Sequence, residues 1–300
     1  MKIRLLILGI LVSVLFCQPY GDHHRVNFAG GYLYDYSFFE DVSFETGYPE
    51  DIAVIGDYVF IAQDSDLGIF DNSDPTAPLK IASIDDPSNI KHVAVLDDSH
   101  IIVASAFDTM LIVDVSVPFD PVVLSTLEVA HRIYDMAIAG DYCYVVIESG
   151  IRVICVSDPL YPVVEVSIPG DWGCLAIDGT DLYTIEDGVQ ADKWDISVPT
   201  DPVLVSSVAY TITGLEMKLD ARGDRLYVIP DAVMPTYHFF DVIDFTDPID
   251  PVVSEIPLHL TVNGQQRGIS VTDDYIFILE NGTGDMNSIL FVLDRLDPEY

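Results

Sequence analysis

A polar turn that ends in proline recurs six times in this chain, and its spacing restricts the fold more than any other feature. It reads DNSDP at Asp71–Pro75, DVSVP at Asp114–Pro118, VSDP at Val156–Pro159, DISVP at Asp195–Pro199, DFTDP at Asp244–Pro248 and DRLDP at Asp294–Pro298. The prolines follow one another at 43, 41, 40, 49 and 50 residues. A second landmark keeps step with the first: an Asp that opens an apolar run, at Asp57, Asp98, Asp141, Asp181, Asp224 and Asp274. Two landmarks in constant order at such a period mark a repeat architecture.

Each copy reads as four short strands. In the second copy they fall at about 92–96, 100–105, 109–115 and 122–128, rich in Val, Ile and aromatic residues and bounded by Asp, Gly, Ser or Pro. No stretch has a helical period with caps. Four-stranded units at this spacing predict an all-β chain folded as a six-bladed β-propeller. Because both faces of a blade pack against neighbours, the strands are nearly continuous apolar runs. In the turn, Asp and Ser side chains cap backbone amides and Pro fixes φ and ends ladder pairing. After Pro298 only Glu299 and Tyr300 remain, so the sixth copy has no outer strand. Tyr32–Phe38 (YLYDYSF) precedes the first copy in the outer-strand position, and its pairing with Ile289–Leu293 is expected to close the ring and remove an open edge.

Met110–Pro121, MLIVDVSVPFDP, with Leu111, Ile112, Val113 and Asp114 at its centre, resembles the LVIVD repeat family, and the likeness extends through all six copies. Two departures stand out. Cys155 replaces the Asp in the third copy, and the fifth and sixth copies carry insertions between their second and third strands. The resemblance implies a β-propeller found mostly in exported or surface-located proteins, generally without an assigned activity, and it brings no catalytic residues.

Lys2 and Arg4 followed by the uncharged Leu5–Phe16 match a secretory signal, too short for a comfortable membrane span. Residues 1–22 are therefore expected to be a signal peptide and 23–300 a single domain. Cys17 is a candidate for lipid attachment; Phe16 before it departs from the small residue usual there, and simple cleavage nearby is the other reading. Either predicts an exported protein: secreted, periplasmic or at the cell surface. The remaining cysteines, Cys143, Cys155 and Cys174, are odd in number. Cys143 and Cys155 on adjacent strands allow a cross-strand disulfide, with buried free thiols the favoured reading. No C-x-x-C spacing for zinc exists.

With 13 basic and 49 acidic residues the chain has a formal charge of −36, which argues against nucleic acid and anionic lipid surfaces as partners. Acids gather in the loops between second and third strands, at Asp64, Asp66, Asp108, Glu148 and Asp187. Such a rim suits calcium, which takes six to eight oxygen ligands. The plain alternative is that turns favour Asp and acidic rims are soluble, and no complete D-x-D-x-D-G loop occurs. The loops between blades add His92, His131, Arg132, Tyr134, Trp172 and Arg267 as candidate ligand-binding groups. An Arg facing an acidic rim suits a carboxylate-bearing ligand, although a salt bridge is the commoner use. The insertions Pro230–His238 and Glu280–Ser288 point to a contact surface near Met234, Tyr237 and Met286. No nucleophile, metalloprotease or phosphate-loop pattern is present.

These features favour a monomeric, non-catalytic binding or scaffold module, without cofactor unless calcium, whose partner is a protein or extracellular ligand. The alternatives are an extracellular hydrolase or lyase with its site at the channel mouth, and a calcium-dependent adhesion or structural surface protein. Propellers host all three.

Overall fold

The computed structural model describes residues 49–295 apart from 64–65, 75–77, 86–88, 187–188, 212–216, 230–238, 258–263 and 283–288. Every regular element among them is a strand. The described residues form two compact units that meet in sequence between Gly170 and Asp171.

The first unit contains three antiparallel four-stranded sheets, each ordered as its strands occur in the chain. They are β1 (Pro49–Ile55), β2 (Tyr58–Gln63), β3 (Asp66–Asp71) and β4 (Leu79–Asp85); β5 (Ile90–Val95), β6 (His100–Ser105), β7 (Thr109–Asp114) and β8 (Val122–Glu128); and β9 (Ile133–Ala139), β10 (Tyr142–Ile147), β11 (Gly150–Cys155) and β12 (Val163–Pro169). The strands of the second copy thus fall within two residues of their expected bounds. The inner strand β5 lies against both β1 and β9.

The second unit contains β13 (Trp172–Asp178), β14 (Asp181–Glu186), β15 (Gln190–Asp195) and β16 (Val203–Ala209); β17 (Lys218–Arg222), β18 (Arg225–Ile229), β19 (Phe239–Asp244) and β20 (Val252–Pro257); and β21 (Gly264–Val271), β22 (Tyr275–Gly282) and β23 (Ile289–Asp294). The last sheet has three described strands, as expected. Its predicted partner, Tyr32–Phe38, lies outside the described residues, as does residue 1–22. One boundary differs: Glu280 was expected to begin a loop, but β22 runs on to Gly282 because Asn281 and Gly282 still pair with Gln265 and Gly264 of β21.

Second strands are the most deeply buried. In β6, Ile101 and Val103 pack towards the first sheet while Ile102 and Ala104 pack towards the third, so alternation puts apolar side chains on both faces. That is why the strand reads as a continuous apolar run. Removing Ile102 or a residue like it would open a cavity between sheets at a cost of about 3 kcal/mol.

The two landmarks are joined by one hydrogen bond in all six sheets. The amide that follows the third strand (Asn72, Val115, Val156, Ile196, Phe245, Arg295) donates to the carbonyl in the first hairpin (Asp57, Ser99, Asp141, Thr180, Asp224, Asp274) at 2.7–2.9 Å. The chain then reverses through β-turns at Val117–Asp120, Asp158–Tyr161, Val198–Asp201 and Asp247–Asp250, each closed by an amide-to-carbonyl bond of 2.9–3.2 Å. In each the proline is the second residue, where a fixed φ suits the turn. Gly150 allows the outer strand to approach: its φ is +134°, and a Cβ there would lie 1.9 Å from the Ile168 carbonyl oxygen.

Cys143, Cys155 and Cys174 form no disulfide. Cys143 faces Ile154 and Cys155 faces Tyr142, so the two thiols sit one residue out of step and point to opposite faces of their hairpin. Cys155 is only half-buried, whereas burial pushes the Cys143 thiol up to about 12.

Candidate functional site

Inner strands enter their sheets through a bulge. Pairing with the second strand skips one residue in five of the six sheets, leaving Glu50, Lys91, Tyr134, Gly173 and Arg267 unpaired. A bulge re-aims one side chain and often borders a functional site. The copies differ at this position in charge, size and polarity, whereas the strands behind it are alike.

In the first unit Glu50 and Lys91 form an ion pair between neighbouring bulges. Tyr134, the third bulge residue, is 40% exposed. The Arg132 guanidinium lies 5.4 Å from its ring centroid. The loop that carries Arg132 and leads into Tyr134 on β9 is fixed at both ends: Val129 donates to the Asp108 carbonyl at 2.8 Å and Ile133 to the Phe107 carbonyl at 3.1 Å. Ala130 adopts φ +67°, a left-handed conformation that costs a residue with a side chain about 1 kcal/mol. Phe107, 59% exposed, borders the same loop, and His131 within it is half-buried. Among the Lys and Arg side chains described, only those of Arg132 and Lys218 have neither an ion pair nor a hydrogen bond.

The other expected residues are more scattered. His92 is half-buried on β5 beside the Lys91 bulge. Asp66 is engaged by the Lys80 ammonium at 2.8 Å. Asp108 accepts from the Thr109 hydroxyl at 3.3 Å, and Glu148 is exposed in the β10–β11 turn. Trp172 in the second unit is only 6% exposed and meets Trp194 edge-to-face at 5.8 Å. Arg267 is described as a backbone position alone. Cys17, Asp64, Asp187, Tyr237, Met234 and Met286 lie outside the described residues. Among the described residues no group of three His, Cys, Asp or Glu side chains is placed to hold a metal.

Many acids instead tie sheet to sheet. Asp51 accepts from the Ile52 amide at 2.8 Å and from Val93 on the next inner strand at 2.9 Å. Asp220 repeats this in the second unit, accepting from Ala221 at 2.8 Å and Val271 at 2.6 Å. Burial pushes its carboxyl up to about 6 despite those amides. Arg222 reaches Asp178 at 3.2 Å and Asp273 at 2.7 Å, one on each neighbouring sheet. Buried Lys193 holds Asp224 at 2.6 Å and Asp181 at 2.9 Å; these partners outweigh burial and keep it protonated. Asp241, 1% exposed, accepts from the Tyr210 hydroxyl at 2.6 Å, and burial raises its carboxyl. These seam residues were missed in the sequence, although Glu50-Asp51-Ile52-Ala53 and Tyr134-Asp135-Met136-Ala137 repeat one pattern at the bulge.

Residues 46–86 and 133–169 match the model of the LVIVD repeat, which places the match on the first and third copies. None of the curated proteins matches the sequence. Among solved structures, the β-propeller domain of Cps50 (Swd1) from Myceliophteria thermophila is similar over 82% of this chain and 82% of its own, with a TM-score of 0.60 and 12% identity. The computationally designed Ika8 protein covers 82% of this chain and 70% of its own at a TM-score of 0.57 and 10% identity. BamB from Moraxella catarrhalis covers 80% and 68% at 0.56 and 8%. At such identities the likeness establishes a shared β-propeller fold, and activity does not follow from it.

Proposed function

We propose that this chain, a β-propeller carrying LVIVD repeats, is an exported, non-catalytic binding module whose first unit makes contact through Phe107, His131, Arg132 and Tyr134. The observation that carries the reading is Arg132: an exposed cation in a chain of charge −36, placed over the ring of an exposed tyrosine and tied to no acid among the described residues. A guanidinium over an aromatic ring still has N–H groups to offer a carboxylate or phosphate, while Tyr134 and Phe107 offer apolar area to whatever carries that group. Asp220, Lys193 and Tyr210, whose protonation is strongly displaced, are engaged in the seams, and Cys143 and Tyr144 are displaced by burial within the core, which favours binding over catalysis. Export rests on the Lys2, Arg4 and Leu5–Phe16 segment, with Cys17 the point of lipid attachment or a neighbour of the cleavage site.

Titration with 4-hydroxybenzoate, followed by NMR shifts of the Arg132 side chain and Tyr134 ring, tests the site. Wild type should respond and Arg132→Ala should bind about tenfold more weakly, the equivalent of about 1.4 kcal/mol. Equal binding by Arg132→Ala, or by uncharged benzyl alcohol in place of the acid, would overturn it.

A further inference from the structure

Outer strands present an open row of N–H and C=O groups, and most of those in this protein are blunted. Pairing with the third strand skips Ile81 in β4, Leu124 in β8, Glu165 in β12 and Val205 in β16. Each bulge bends and twists the edge, which discourages another strand from adding to it. β20 has none: it pairs with β19 residue for residue from Asp244–Val252 to Phe239–Pro257. Its edge is therefore straight from Val252 to Ile256, and Pro257, which lacks an N–H, ends the usable stretch.

We infer that the edge of β20 is a strand-addition site for an extended partner segment that alternates basic and apolar residues. Val252 and Val253 are 55% and 39% exposed, and Ile249 in the turn before them is 92% exposed. The surrounding charge is mainly negative. Asp247, Asp250 and Glu255 are exposed, and a hollow of about 560 Å³ at the start of the strand is lined by Asp244, Asp247, Asp250, Val252 and Ser254. Asp244 is already held by Arg225 at 2.9 Å, but the side chains of Asp250 and Glu255 accept no described hydrogen bond. Backbone pairing supplies affinity in strand addition, and side-chain complementarity selects the occupant. A second copy of this chain brings another −36 charges to the same edge, so a basic partner is favoured over self-association.

Ser125 donates to the Pro159 carbonyl at 2.6 Å and Ser206 to the Pro248 carbonyl at 2.8 Å, each receiving the turn of the next sheet. Ser254 holds the same place in β20, opposite Val242.

The test uses the full chain and an acetylated, amidated Lys-Val heptapeptide at physiological salt, beside the same peptide N-methylated at alternate residues. The unmodified peptide should bind at least tenfold more tightly and should slow hydrogen exchange of the β20 amides. An alanine inserted between Val253 and Ser254, which restores the bulge found in the other sheets, should abolish the difference between the two peptides. Should that insertion lower the melting point sharply, Asp250→Asn with Glu255→Gln serves instead and should weaken the peptide at least threefold. Equal binding of the two peptides by wild type, peptide protection appearing elsewhere than β20, or protection in the free protein of the β20 amides that do not bond to β19 would each overturn the proposal.

Discussion

The Asp114 carboxylate accepts a hydrogen bond from the Ser116 amide at 2.8 Å, and Asp71, Asp195 and Asp244 do the same for Ser73, Ser197 and Thr246. In Asp114 the Ser116 hydroxyl and amide hold the carboxyl below its usual range; in Asp71 and Asp195 the amide of the following Ser leads. A folded value below the unfolded one means stability that is fully present above about pH 4 and is lost as pH falls through the folded value. Asp114→Ala should lower the unfolding free energy by about 1 kcal/mol at pH 7. Asp114→Asn, which keeps an acceptor, should lose less, and both should converge with wild type in acid. Urea titrations at pH 7 and pH 3 measure this; an equal loss at both would contradict the charge-assisted turn. This part of the site chemistry was legible because donor and acceptor are two residues apart. Cys155 shows the limit of the pattern, its Sγ meeting the Ser157 hydroxyl at 3.2 Å where the other copies place an Asp. The Asp51–Val93 bond joins residues 42 apart, and no local pattern announces it.

At the scale of strands and sheets, apolar runs and turn residues reveal the elements but not their register. A bulge needs no special residue: Glu50, Lys91 and Tyr134 have nothing in common as side chains, and only pairing exposes their shared position. The expected rim of acids is likewise divided by tertiary contacts, with Asp66 drawn to Lys80 on the outer strand. Seams between sheets carry their own pH dependence. Asp220 has a folded value of about 6, above the unfolded 3.8, so the folded second unit binds this proton more readily than the unfolded chain does. The resulting stability is present below the unfolded value and is lost as pH rises through the folded one. Asp220→Asn should therefore flatten the decline in urea midpoint between about pH 4 and pH 6.5 while wild type retains it. Parallel curves would show that the Ala221 and Val271 amides offset burial completely.

For the whole molecule, 49 acids face 13 bases, so self-repulsion opposes the compact state. Raising sodium chloride from about 10 mM to about 200 mM shortens the screening length from about 30 Å to under 10 Å and should raise the melting temperature by several degrees. A specific calcium site predicts more than screening. Calcium chloride should then exceed magnesium chloride at equal ionic strength, and a chelator should remove only the excess. Equal midpoints in the two salts would leave the acidic surface as a source of solubility and of attraction for basic partners, and would confine recognition to the places where the copies differ: the bulge residues and the straight edge of β20.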